Sequence, residues 1–168
     1  RLGYNKVEIK EWIPPLLKTG IVALTIHGRT RKEMSTVPAD WDRIGEVAEI
    51  AKGSGVLIIG NGDVMSLAEA KEKAKKYNLD GIMVGRGIFQ NPWLFSGKDR
   101  AEPKERIKLL KKHVENFDKL WGKEKNFDTL KRFFKVYVQG WPGAKELRVK
   151  LMNCKSIKEV VDSVENLS

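Results

Sequence analysis

Between positions 7 and 95 the chain switches repeatedly between two hydrophobic periodicities. An amphipathic segment from Val7 to Thr19 is followed by the apolar, β-rich run "IVALTIHG" from Ile21, and "DWDRIGEVAEIAK" then returns to helical spacing. "VLIIGNG" from Val56, the Ala- and Lys-rich "SLAEAKEKAKKY" and "GIMVGRG" complete the series of helix, strand, helix, strand, helix, strand. Short apolar strands separated by helices of about a dozen residues predict βαβ units, and therefore a parallel sheet covered by helices. The punctuation agrees: Gly20, Gly55 and Gly81 each precede a strand, and Ser66 to Glu69 has the spacing of a capping box. Asn91-Pro92 supplies a cap and a first-turn proline, which predicts that "NPWLF" starts a short helix directly after the third strand.

The polar, breaker-rich "SGKDRAEP" marks a boundary, which divides the chain into an α/β region over 1–95, a linker over 96–102 and an all-helical bundle domain over 103–168. From Pro103 the apolar stripe is Ile107, Leu110, Val114 and Phe117, with Lys104, Lys108, Lys111 and Lys112 on another face that reads as solvated. A second helix carries Leu130, Phe134, Tyr137 and Val138 inward, breaks at Gly140-Trp141-Pro142-Gly143, and is followed by helices near 144–152 and 156–164. Phe117, Trp121, Phe127 and Phe133 are expected in the core. His113 has no second ligand at metal spacing, so no metal site is expected.

With 168 residues, 41% of them apolar, the chain can bury a core. No run approaches the ~18 apolar residues of a membrane span, and the start has no signal-peptide core. The lone cysteine, Cys154, fits a reducing compartment, so the cytoplasm is expected and Cys154 itself reads as an inert, half-buried thiol. A chain that opens on Arg-Leu-Gly and enters a turn at once is expected to lack an upstream part. Net charge is +10, with 14 basic against 11 acidic residues up to Phe95 and 18 against 11 beyond it. The basic excess of the second part points to a polyanion partner or to a solvated basic surface.

Candidate chemistry sits at the strand ends. In parallel α/β folds ligands bind at the carboxyl ends of strands, and here these carry His27-Gly28-Arg29, Asn61-Gly62-Asp63 and Gly85-Arg86. Glycine allows close approach and positive φ, so that successive N–H groups can face one anion. Two such loops on neighbouring strands, with a helix start behind the second, predict a phosphate cradle; tight turns alone are the competing reading.

"ALTIHGRTR" (23–31), "ADW" (39–41), "IIGNGD" (58–63), "DGIMVGRG" (80–87) and "NPWLF" (91–95), in this order and spacing, resemble the C-terminal half of the barrel of tRNA-dihydrouridine synthases. Arg1-Leu2-Gly3 resembles the end of that family's "K-x-R-x-G" strand, and "LKRFFKVYVQGWPGAKELR" (130–148) more loosely resembles its helical RNA-binding domain. The resemblance implies a TIM (β/α)8 barrel, of which this chain holds the C-terminal part. It also implies FMN as cofactor, NADPH as its reductant, and reduction of the uracil C5=C6 bond in tRNA with a cysteine as general acid.

By that resemblance, Asn61, Gly62, Asp63, Gly85 and Arg86 are FMN phosphate-binding positions and His27 a flavin-pocket position. Arg86 is suited to a dianion as a fixed guanidinium donor, whereas Asp63 would repel one and fits the loop better. Arg29 and Arg31 are expected as exposed loop cations near RNA, and Lys131, Arg132, Lys135 and Arg148 as a basic face toward it. The family's "N-x-G-C-P" motif is absent. The chain is therefore expected to be inactive alone and to need a missing N-terminal half of the barrel, with open sheet edges that favour a dimer or marginal stability. The alternatives are a non-catalytic RNA-binding module with a barrel remnant and a different phosphate-binding barrel enzyme.

Overall fold

A computed structural model describes residues 1–98, 101–122 and 124–165. Positions 99 and 100 of the expected linker, and 123 and 166–168 of the expected helical domain, lie outside the described residues. The chain divides into two compact units, Arg1–Gly97 and Lys98–Ser168.

The first unit is α/β. Its three strands, β1 (Ala23–His27), β2 (Leu57–Asn61) and β3 (Gly81–Met83), form a parallel sheet in that order. His27 pairs with Asn61, and Asn61 with Met83, so the three strands end level and their following loops share one edge. Helices α1 (Ile9–Leu17), α2 (Trp41–Ala51) and α3 (Leu67–Lys76) precede the three strands in turn or connect them. Ile26 and Ile58 from the sheet, Ile9 and Ile13 from α1, and Trp41, Ile44 and Val47 from α2 make the core. Ile44 and Val47 are fully enclosed, each worth about 1.5–3 kcal/mol by removal from water.

Local chemistry sets the helix ends. Asp40 caps α2 by accepting from the Arg43 N–H at 3.0 Å, and Ser66 caps α3 by accepting from the Glu69 N–H at 3.1 Å. The returning half of the predicted box is displaced by one residue, because the Glu69 carboxylate accepts from Met65 N at 2.9 Å rather than from Ser66 N. Residues 1–4 lie along the loop after β1, through Leu2 N to Arg29 O (3.0 Å), Arg31 N to Gly3 O (2.9 Å) and Lys32 N to Tyr4 O (2.9 Å).

The helix expected from Asn91 is placed differently. One turn, α4 (Gly87–Gln90), begins directly after the Gly85-Arg86 loop, and Asn91 closes it; Leu94–Ser96 is then only a 3₁₀ turn. The Asn91 side chain accepts from the Trp93 N–H at 3.0 Å, which fits an Asx turn better than a helix start.

In the second unit α5 (Pro103–Trp121), α6 (Asp128–Lys131), α7 (Phe134–Tyr137), α8 (Ala144–Asn153) and α9 (Ile157–Val164) enclose Ile107, Leu110, Val114, Leu130, Phe134 and Val160. The predicted second helix is two single turns, because the Phe133 and Val136 N–H groups bond three residues back, to Leu130 and Phe133, and interrupt the α-helical ladder. Trp121 is a correction to the expected core: it is 41% exposed, with the Lys125 ammonium 3.9 Å from its ring centroid. Cys154 is fully buried rather than half-buried, its thiol 3.5 Å from the Lys150 carbonyl. Among the described residues no helix is long and apolar enough to cross a membrane.

Candidate anion-binding site

The level strand ends of the first unit bring His27, Asn61, Gly62, Asp63, Gly85 and Arg86 to one cavity of about 150 Å³, completed by Val64, Met65 and Gly87. All six come from three different strand ends, so parallel register alone converts three separate sequence motifs into one site.

Each loop is fixed by a specific bond. Asn61 Nδ2 donates to the Met83 carbonyl at 2.7 Å and ties the end of β2 to that of β3. Trp41 Nε1 donates to the Gly62 carbonyl at 3.1 Å from within the core, and Gly28 N donates to Asn61 O at 3.0 Å. Gly62 has φ 142°, and a Cβ there would lie 2.5 Å from the Ala39 methyl, so both its backbone and its neighbours require glycine. The backbone N–H groups of Gly62, Asp63, Gly85 and Arg86 take no acceptor among the described turn and loop hydrogen bonds.

Asp63 holds the electrostatics together. It sits at φ 53°, and its carboxylate accepts from Ala39 N at 2.9 Å, from the Arg86 guanidinium at 3.1 Å, and from the Arg29 guanidinium. Burial opposes its ionisation, yet the Ala39 N–H and the two arginines outweigh that and hold the carboxyl below the usual aspartate range. Arg86 at the cavity and Arg29 buried behind it outnumber the one carboxylate, so the local balance is positive.

His27 is neutral at pH 7, because burial first, and then the positive charges of Arg1 and Arg29, lower its pKa below the ordinary 6.5. Among the described residues its Nδ1 is the one buried side-chain polar atom without a hydrogen-bond partner. An orphaned ring nitrogen and an exposed guanidinium, lining one cavity with the backbone of these strand-end loops, form a donor set for an oxygen-rich anion.

Arg29 departs from its expected place. It is 3% exposed, with Nε donating to the Val37 carbonyl at 2.6 Å and the other end on Asp63, so it is not an open RNA contact. Arg31 is exposed as expected, its guanidinium 6.0 Å from the Tyr4 ring. The sequence assigns Trp41 no role beyond its place in "ADW"; its bond to Gly62 joins positions too far apart in sequence for any local pattern to reveal.

In the second unit a groove of about 390 Å³ is lined by Lys131, Lys135, Lys145 and Arg148 beside Phe134, Val149, Met152 and Asn153. Lys135 and Lys145 are exposed, whereas Lys131 is mostly covered and paired with Asp128 at 2.8 Å. Arg148 donates to the Val138 carbonyl at 2.7 Å, and Arg132 leans on the Phe133 ring, 4.8 Å from its centroid, and does not line the groove. Lys145 was not among the expected basic positions, because the helix break at Gly143 hides its alignment with Lys135.

A family model described as Dihydrouridine synthase (Dus) matches residues 1–168. A probable tRNA-dihydrouridine synthase of Staphylococcus aureus is 43% identical over 164 residues, covering 95% of this chain and 50% of that protein. A probable tRNA-dihydrouridine synthase of Staphylococcus epidermidis is 43% identical over 175 residues (98% and 53%), and a probable tRNA-dihydrouridine synthase 2 of Bacillus subtilis is 41% identical over 165 (95% and 51%). The chain spans about half the length of these curated relatives.

Proposed function

The chain belongs to the dihydrouridine synthase family, and from that premise we propose that it forms part of a flavin-dependent tRNA-dihydrouridine synthase, contributing the phosphate end of the FMN site and a helical tRNA-binding domain. Its α/β unit is then the C-terminal part of a TIM barrel, and 103–168 the helical bundle domain. The observation that carries the reading is the convergence of His27, Asn61, Gly62, Asp63, Gly85 and Arg86 on one cavity with a positive local charge balance.

The residues present fit a phosphate monoester. The N–H groups at 62–63 and 85–86 supply short, fixed donors, and Gly85, with open space where a Cβ would stand, lets the ester approach its backbone. Arg86 adds a charge-assisted donor, and His27 Nδ1 a further polar contact deeper in the site. FMN, reduced by NADPH, supplies the hydride chemistry for the uracil double bond when bound. Asp63 keeps its own charge away from the anion by accepting from Arg29, Arg86 and Ala39 N. With a cysteine as general acid, as the family resemblance implies, the proton donor on this reading comes from outside this chain, since its one cysteine, Cys154, is buried in the apolar core of the helical unit.

The test is absorbance of the purified full-length gene product together with dihydrouridine content of tRNA from a strain lacking the gene. A yellow protein, and loss of dihydrouridine that the gene restores, support the reading. A colourless protein whose deletion leaves dihydrouridine unchanged overturns it.

A further inference from the structure

We propose that Arg29 is a positioning residue of the anion site: its buried guanidinium holds and neutralises Asp63, so that the charge of Arg86, which also touches Asp63, is left in surplus for an incoming phosphate. The inference rests on the phosphate reading above and assigns Arg29 a task distinct from RNA contact.

Three observations carry it. First, Arg29 is 3% exposed and bridges two loops, donating from Nε to Val37 O at 2.6 Å and from its other end to the Asp63 carboxylate. Second, Asp63 is shared, because its second oxygen meets Arg86 at 3.1 Å while Ala39 N donates to the first at 2.9 Å. Third, the two arginines differ in access, since the Arg86 side chain is 62% exposed at the cavity and that of Arg29 is 3% exposed.

The charge balance gives the mechanism. With Arg29 present, the carboxylate is already neutralised from inside the protein, and Arg86 stands as surplus positive charge at the rim. Remove Arg29 and Asp63 is left with Arg86 as its one cation, so the existing pair consumes the charge of Arg86 and the carboxylate oxygen that Arg29 held loses its compensation. A buried cation is costly to keep without its partner, so Asp63→Asn is made only together with Arg29→Met.

The experiment compares FMN and riboflavin affinity in the full-length protein, by flavin fluorescence, for wild type, Arg29→Met, Arg29→Met with Asp63→Asn, and each in an Arg86→Ala background. Riboflavin lacks the phosphate, so it reports general loosening of the pocket. Arg29→Met is expected to lower FMN affinity about tenfold or more, close to 1.4 kcal/mol, while riboflavin affinity changes little. The double variant removes both charges of the inner pair and is expected to recover most of that loss. In the Arg86→Ala background Arg29→Met leaves Asp63 with neither cation and is expected to lower FMN affinity further, and adding Asp63→Asn is expected to abolish that further loss, the coupling of residues acting through one another.

Equal losses for FMN and riboflavin, no recovery in the double variant, or a further loss in the Arg86→Ala background that Asp63→Asn does not remove would each overturn the positioning role and leave Arg29 a structural residue. Should Arg29→Met fail to fold, the double variant carries the test alone: FMN affinity close to wild type supports the proposal, and FMN affinity as low as in Arg86→Ala overturns it. Equal affinity of the wild type for FMN and riboflavin would instead overturn the phosphate reading itself, and this inference with it.

Discussion

The indole N–H of Trp41 donates to the carbonyl of Gly62 across 3.1 Å, so a residue at the start of α2 fixes the loop after β2 from inside the core. Trp41→Phe keeps the ring and removes the donor, leaving a buried carbonyl unpaired. The expected cost is about 1–3 kcal/mol of stability, read as a lower urea midpoint at unchanged m-value. Flavin retention of the full-length protein should fall with it, because Gly62 loses its anchor. A midpoint equal to wild type would show that the bond contributes nothing net.

Arg86→Ala removes the exposed guanidinium and leaves Asp63 paired with Arg29. FMN binding should weaken by about 1.5–3 kcal/mol, the usual range for a hydrogen bond to a charged group, with thermal stability near wild type because the side chain is largely exposed. Fluorescence titration measures it, and unchanged affinity would remove Arg86 from the site.

The alternation of periodicities between 7 and 95 made the strand and helix order of the first unit readable, since each strand is a short β-branched run and each helix keeps its own apolar face. The convergence of His27, Asn61 and Arg86 was readable for the same reason, as parallel strands deliver their ends to one edge. What the pattern hid was side-chain pairing across distance. Arg29 looked like any loop arginine, and only the fold shows that Asp63, far along the chain, faces it. Asn91-Pro92 was misleading for a local reason: Asn91 makes an Asx turn within its own loop, so the helical turn that matters starts at Gly87 instead. The break between α6 and α7 was equally invisible, because apolar residues at 130, 134, 137 and 138 suit one helix or two single turns.

Acid should destabilise the chain in two stages. His27 and His113 both have folded pKa values lowered by burial from the ordinary 6.5, so on acidification the unfolded state takes up protons first and stability falls as pH drops below that value, levelling once the folded imidazoles titrate. Asp63 is lowered from 3.8, so its contribution is present above that pH and is lost as pH falls through its folded value. Urea midpoints measured from about pH 7 to about pH 5 should therefore decline in wild type and flatten in the His27→Gln, His113→Gln double variant. A wild-type midpoint that rises on acidification would reverse the sign of the argument.

The groove of the second unit separates two kinds of basic residue. Lys135 and Lys145 are exposed at its edge, whereas Arg132 lies outside it against Phe133. If the groove takes tRNA phosphates, replacing Lys135 and Lys145 by Ala should lower tRNA affinity of the full-length protein and reduce the slope of log affinity against log salt by about 1.4–1.8, two contacts at roughly 0.7–0.9 each. Flavin content and thermal stability should stay unchanged, since both lysines are exposed. Arg132→Ala should alter the slope little. The reverse ranking, with Arg132 dominant and the two lysines silent, would move the RNA path off the groove and onto the face that carries Phe133, because salt dependence counts phosphate contacts and is insensitive to the packing changes either substitution could cause.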